Sequence, residues 1–159
     1  MEYTFTLKYQ LADDDRDPDA LVERLGEVGC DDALVGIGQP GRLALEFTRE
    51  ADSADAAVRS ALADVRSAVP SARLIEVAPD LVGLTDVADI VGVSRQNMRK
   101  LMLAHPGSFP APVHAGSASI WHLADVLAWL QAKGSYSLAM DVLEVACVAL
   151  QVNVAKEGR

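Results

Sequence analysis

The chain has 159 residues, half of them apolar and 5% aromatic, with two cysteines and 23 acidic against 14 basic side chains. That composition excludes a disordered tail, a collagen-like repeat and a disulfide-stapled mini-protein. Residues 1–80 hold 17 acids and 8 bases and residues 81–159 hold 6 of each, so the whole formal charge of −9 sits in the first half. The asymmetry predicts two modules with different partners. An acidic chain repels nucleic acid unless a local basic surface meets it, because non-specific DNA affinity comes from cations that neutralise phosphates.

The opening residues lack a basic segment, an apolar core and a small-residue cleavage site, and the chain reads as cytoplasmic. The most apolar stretch, 138–154, is short for a bilayer and carries Asp141, Glu144, Gln151 and Asn153, so a covered helix is expected and no membrane partner. Cys30 and Cys147 lie far apart with no CxxC pair, which suits reduced, buried thiols better than a bridge or a zinc site.

In chain order, Tyr3, Phe5, Leu7 and Tyr9 alternate with polar residues and predict a strand. Asp13, Asp14, Asp15 and Arg16 read as a solvated loop, since three adjacent carboxylates repel one another and no calcium-loop spacing follows. Asp17 caps a helix with Pro18 at its first position, and Leu21, Val22, Leu25 and Val28 form its apolar face before Gly29 stops it. Residues 33–37 and 43–47 are short apolar runs around a Gly-Gln-Pro-Gly cluster, a hairpin. The stretch from Gly36 to Gly41 matches GxGxxG, yet a dinucleotide site needs a helix next, and 42–47 alternates as a strand. Ser53 or Asp52 caps a second helix with Ala54, Ala57, Val58, Ala61, Leu62, Val65 and Val69 on one face, stopped by Pro70, and 73–77 is a last strand. The order strand, helix, hairpin, helix, strand over residues 1–79 resembles the ferredoxin-like superfold, which implies a dimerisation or effector module. With no histidine, paired acid and base, or activated nucleophile in this half, no catalysis and no cofactor are expected.

Pro79 and Asp80 mark the junction to a second module, 80–134. Residues 84–102 carry helix-turn-helix punctuation: Thr85 as cap, small Ala88 at a close helix approach, Gly92 for a left-handed turn, Val93 between helices and Ser94 as second cap. On that second helix Met98, Leu101 and Met102 face one side, while Arg95, Gln96, Arg99 and Lys100 share an arc on the other. Arg and Lys can donate to guanine edges, Gln can pair with adenine, and all can contact phosphates. His105-Pro106 ends the helix, Phe109-Pro110-Ala111-Pro112-Val113 is an extended arm, 114–119 a turn, Ile120-Trp121 a strand, and 122–132 a helix with Leu123, Val126, Leu127 and Leu130 inward. Trp121 and Trp129 are expected as core anchors.

This succession, with its FPAPV arm and LADVLAWL helix, resembles the winged-helix modules of phage excisionases and their AlpA-type relatives, and also the MerR regulators. The resemblance implies double-stranded DNA as partner, the second helix in the major groove and the hairpin as a wing. Arg95, Gln96, Arg99 and Lys100 are the implied DNA contacts, with Ser94, Asn97 and Thr85 at phosphates or helix ends and His114 at a phosphate. The wing departs from the family, whose wings carry an Arg shortly before the Trp; residues 115–119 hold no cation. The three scattered histidines suggest no metal site.

Ser137 opens a last helix, apolar nearly all round, which has to be covered on most sides. Over 135–159 it is expected to pack on its counterpart in a second copy or to bridge to the first module; a homodimer would give avidity to a reader with few cations. The alternative is an antitoxin or adaptor whose acidic half binds a basic protein partner.

Overall fold

The computed structural model describes residues 1–37, 39–134 and 138–157, an α+β chain with two antiparallel sheets. Gly38 of the glycine cluster and Ser137, the expected start of the last helix, lie outside the described residues.

The first half runs β1 (Glu2–Gln10), α1 (Pro18–Glu27), a 3-10 turn (Cys30–Asp32), β2 (Ala33–Gly36), β3 (Arg42–Glu50), α2 (Ala54–Ala68) and β4 (Arg73–Ala78). The sheet order is β2-β3-β1-β4, with every neighbouring pair antiparallel. Strand alternation assigns the faces: Tyr3, Phe5, Leu7 and Tyr9 are buried opposite Arg49, Phe47, Leu45 and Leu43, and Phe5 stacks on Phe47 with ring centroids 5.3 Å apart. Leu21 and Leu25 of α1 and Ala57, Val58, Ala61 and Val65 of α2 close over that face. Each large side chain so buried contributes about 1.5 to 3 kcal/mol. Asp17 and Ser53 cap the two helices through Asp19 N–H and Ala56 N–H.

Two expectations, on Val22 and on the acidic loop, are corrected, whereas the strand expected after the glycine cluster is present. Val22 is half-exposed and outside the core, the apolar stripe of α1 being narrower than its sequence pattern. The acidic loop is not wholly solvated: Asp15 accepts from Arg24 of α1 and from Ser71 Oγ, and the Arg24 guanidinium holds its carboxyl below the usual range. The GxGxxG stretch delivers the chain into β3, with Gly41 at φ 77° and its carbonyl taking the Leu11 N–H.

Alternation also carries Arg49 inward. Its Nε and Nη2 donate to the two oxygens of Asp32 at 2.7 and 3.1 Å, Nη1 to Asp64 at 2.9 Å and Ser60 Oγ at 3.1 Å, and Nη2 to the Gly29 carbonyl, while the guanidinium lies over Phe47. A planar fork serves all these acceptors at once and a point charge does not. Arg49→Lys is therefore expected to cost about 1 to 2 kcal/mol, read from urea midpoints; an unchanged midpoint would show the cluster to be idle.

The second half continues with β5 (Leu81–Val82), α3 (Leu84–Val91), α4 (Arg95–Ala104), β6 (His114–Ala115), β7 (Ser119–His122), α5 (Leu123–Lys133) and α6 (Met140–Glu157). β5, β7 and β6 form a three-stranded sheet in that order. Its core gathers Val82, Val87, Ala88, Met98, Trp121, Leu123, Val126, Leu127 and Leu130. Trp121 is buried as expected, its Nε1 donating to the Pro110 carbonyl; Trp129 is only partly covered, stacked edge-on with Phe109 and under Lys133. Cys30 and Cys147 are free thiols, and burial pushes the Cys30 thiol up to about 11.

Helix α6 explains its own apolar sequence. Val145, Val148, Ala149 and Val152 enter the first core beside α2, while Leu143 and Ala146 enter the second beside α5. Its apolar surface is thus largely covered within one chain, with Met140 and Val154 left exposed. No described helix is long and apolar enough to cross a membrane.

The junction is closely hydrogen-bonded. Asp80 is 1% exposed; its Oδ1 meets His122 Nδ1 at 2.6 Å, its Oδ2 takes the Asn153 Nδ2 donor at 2.8 Å, and its carbonyl caps α5 through Leu123 N–H. Asn153 also pairs with both backbone groups of Val77, donating to its carbonyl and accepting from its N–H, each at 2.8 Å. In this way α6 occupies hydrogen-bonding positions on the outer edge of β4.

Candidate nucleic-acid interface

Helices α3 and α4 are joined by Gly92 and Val93, whose N–H groups both donate to the Ala88 carbonyl; Gly92 has φ 86°, a conformation that costs a side-chain-bearing residue. Ala88 is buried where the helices meet, and Val87 and Met98 lock them together. One detail differs from expectation: α3 is capped by Gly83, not Thr85. The Asp86 carboxylate reaches back 3.0 Å to the Gly83 N–H, leaving Thr85 inside the first turn. Ser94 caps α4 by accepting from Asn97 N–H at 3.1 Å.

With Met98 fixed in the core, Arg95, Gln96, Asn97, Arg99 and Lys100 are all exposed. Among the described residues no ion pair takes Arg95, Arg99 or Lys100, whereas Lys8, Arg16, Arg24, Arg49 and Arg59 of the first half each meet a carboxylate. Arg42, Arg66 and Arg73 are likewise without an ion pair among the described residues, so what distinguishes Arg95, Arg99 and Lys100 is that they share one exposed helix face.

The exposed arc separates into two rows. Arg95 and Arg99, one turn apart, line a groove of about 450 Å³ between α4, the start of α3 and the β6–β7 turn, with Thr85, Ser117 and Ser119 on its other walls and Met102 and Trp121 also lining it. Gln96 and Lys100 lie outside it. Asp86 lines the groove as well, with Oδ2 turned to its backbone cap. Guanidinium groups facing hydroxyls across a polar channel suit an extended anion such as a nucleic-acid backbone.

His114 is exposed but not part of this groove; its ring folds onto Gly116, where an added Cβ would lie 2.8 Å from Nε2. Ser117 and Ser119 were not singled out by sequence, whose only signal was a run of hydroxyls in a cation-free turn. Their place beside the arginines depends on pairing of Ala115 with Ser119 across the turn. Among the described residues no group of His, Cys, Asp and Glu has the geometry to hold a metal ion. No family model, curated protein or solved structure matches the chain.

Proposed function

We propose that the chain is a sequence-specific DNA-binding regulator. Helices α3 and α4 act as a helix-turn-helix, the β6–β7 hairpin as a wing, and the first half as a ferredoxin-like dimerisation or effector module. The observation that carries this is the exposed, unpaired trio Arg95, Arg99 and Lys100 on a helix whose opposite side is anchored by Met98. Gln96 and Lys100 would read base edges in the major groove, while Arg95 and Arg99, with Thr85, Ser117 and Ser119, would follow the backbone along the groove. The wing then contributes hydroxyls rather than charge. The sheet order β2-β3-β1-β4 supports the ferredoxin-like description, and the placement of β5 beside β7 and β6 supports the winged one.

Three cations per chain bind weakly, so two copies are part of the proposal. Since α6 is covered and Asn153 occupies the β4 edge, the seam is assigned to β2, the opposite edge. Its neighbourhood, Ala33-Leu34-Val35-Gly36-Ile37, is uncharged and Leu34 is 73% exposed. Selection of bound sequences from random duplex DNA by the purified protein, at two salt concentrations, tests the whole assignment. A palindrome with half-sites about 34 to 36 Å apart is expected. A single half-site with a monomeric mass in solution would remove the dimer, and absence of enrichment would remove the function.

A further inference from the structure

We propose that a cavity at the junction of the two halves binds a small apolar molecule carrying a protonated amine; its role as an effector of DNA binding rests on the function proposed above. The cavity has a volume of about 390 Å³ and lies between the end of β4, the start of β5, the end of β7 and the last turns of α6. That size falls in the range of about 300 to 1,000 Å³ typical of small-molecule sites. Ile75, Leu81 and Val154 give it apolar walls, and Leu81 and Val154 are 49% and 58% exposed. Apolar surface left open beside convergent polar groups is the usual composition of a ligand site.

The polar groups decide the ligand's charge. Asp80 is buried, and its two oxygens are taken by an imidazole and an amide, with no Lys or Arg among its hydrogen-bond partners. The Nδ1 side of the His122 ring is taken by Asp80, and no described residue is hydrogen-bonded to its Nε2. Glu76 adds a second carboxylate to the lining, shared with Lys8, and the Lys156 ammonium is engaged by Glu157. The lining thus holds the carboxylates of Glu76, Asp80 and Glu157 against the single ammonium of Lys156, so a ligand ammonium enters a field that favours it, whereas a ligand carboxylate would meet Asp80 and Glu76. A bound molecule would touch β4, the end of the wing strand β7 and α6 together, linking its occupancy to the placement of the wing beside α4.

The test uses the whole protein without DNA and three probes of similar shape: cyclohexylmethylamine, cyclohexylmethanol and cyclohexanecarboxylate. The amine is expected to raise the melting temperature by about 5 to 10 °C at a hundredfold excess over its Kd, the alcohol less and the carboxylate not at all. Val154→Trp, at an exposed position, fills the cavity while leaving Asp80, His122 and Asn153 in place, and should abolish the shift with little effect on the unliganded protein. No shift with any probe, a carboxylate that stabilises as much as the amine, or an amine shift that survives Val154→Trp overturns the site. On selected DNA, the amine should change affinity several-fold in the wild type and not in Val154→Trp; an unchanged affinity removes the effector role alone. A protein that binds no DNA would end the functional proposal while the DNA-free measurement still decided the cavity.

Discussion

Replacing Arg95 and Arg99 together by alanine is expected to weaken DNA binding at physiological salt by about 100-fold or more on matched and unmatched sequences alike, about 3 kcal/mol or more, while leaving the melting temperature within about a degree or two of wild type. Each charge-assisted arginine contact to a phosphate is worth about 1.5 to 3 kcal/mol, or roughly 10- to 150-fold in Kd. The two share one groove, so their effects need not add. Neither touches a carboxylate, and substitutions at such exposed positions stay within about 0.5 kcal/mol in folding. The salt dependence divides their roles further. If both follow the phosphate backbone, log Kd loses about 0.9 of slope per contact removed, and affinity falls alike on matched and unmatched sequences. Gln96→Ala should instead relax preference at one base position with the slope intact. A double variant that binds the selected sequence as wild type does, with the same slope, would show that the groove beside α4 does not hold the nucleic-acid backbone.

The second large effect concerns the junction. Asn153→Ala is expected to cost about 2 to 4 kcal/mol, because three hydrogen bonds go at once and Val77 and the buried Asp80 carboxylate lose partners they cannot replace. Its signature should be a loss of cooperativity as well as of stability. Both tryptophans, Trp121 and Trp129, lie in the second half, whereas Tyr3 and Tyr9 lie in the core of the first. In the wild type, tryptophan emission and tyrosine absorbance should report one unfolding transition, since α6 belongs to both cores. In Asn153→Ala the two probes should separate, and coincident curves at an undiminished midpoint would show that the Asn153 bonds contribute nothing to the coupling.

Local signals in the sequence went far. Period two placed Phe5 and Phe47 inward, Asp17, Ser53 and Ser94 took their predicted capping places, and Gly92 took the left-handed turn between α3 and α4. What stayed hidden depended on distant partners. β5 is two residues long, too short to alternate, and forms only because β7 lies alongside. Asp80 sits beside Pro79 and reads as a linker, although residues 42 and 73 positions away bury it. Arg49 could have been read: Leu43, Leu45 and Phe47 point inward and the next odd position is an arginine, a charge that alternation sends into the core. The exposed arc on α4 was legible, but its division into a groove-facing row and an outward row needed the position of the hairpin turn.

The double membership of α6 bears on how the protein is made. The four-stranded sheet is complete in sequence by Ala78, yet Val145, Val148, Ala149 and Val152 complete its packing. A nascent chain that has emerged only through β7 carries a first half with an unfilled apolar flank, and late chain termination would damage the portion synthesised earliest. Neither half is an independent cassette: a recombination event that exchanged the sheet would have to exchange matching positions of a helix encoded at a distance from it.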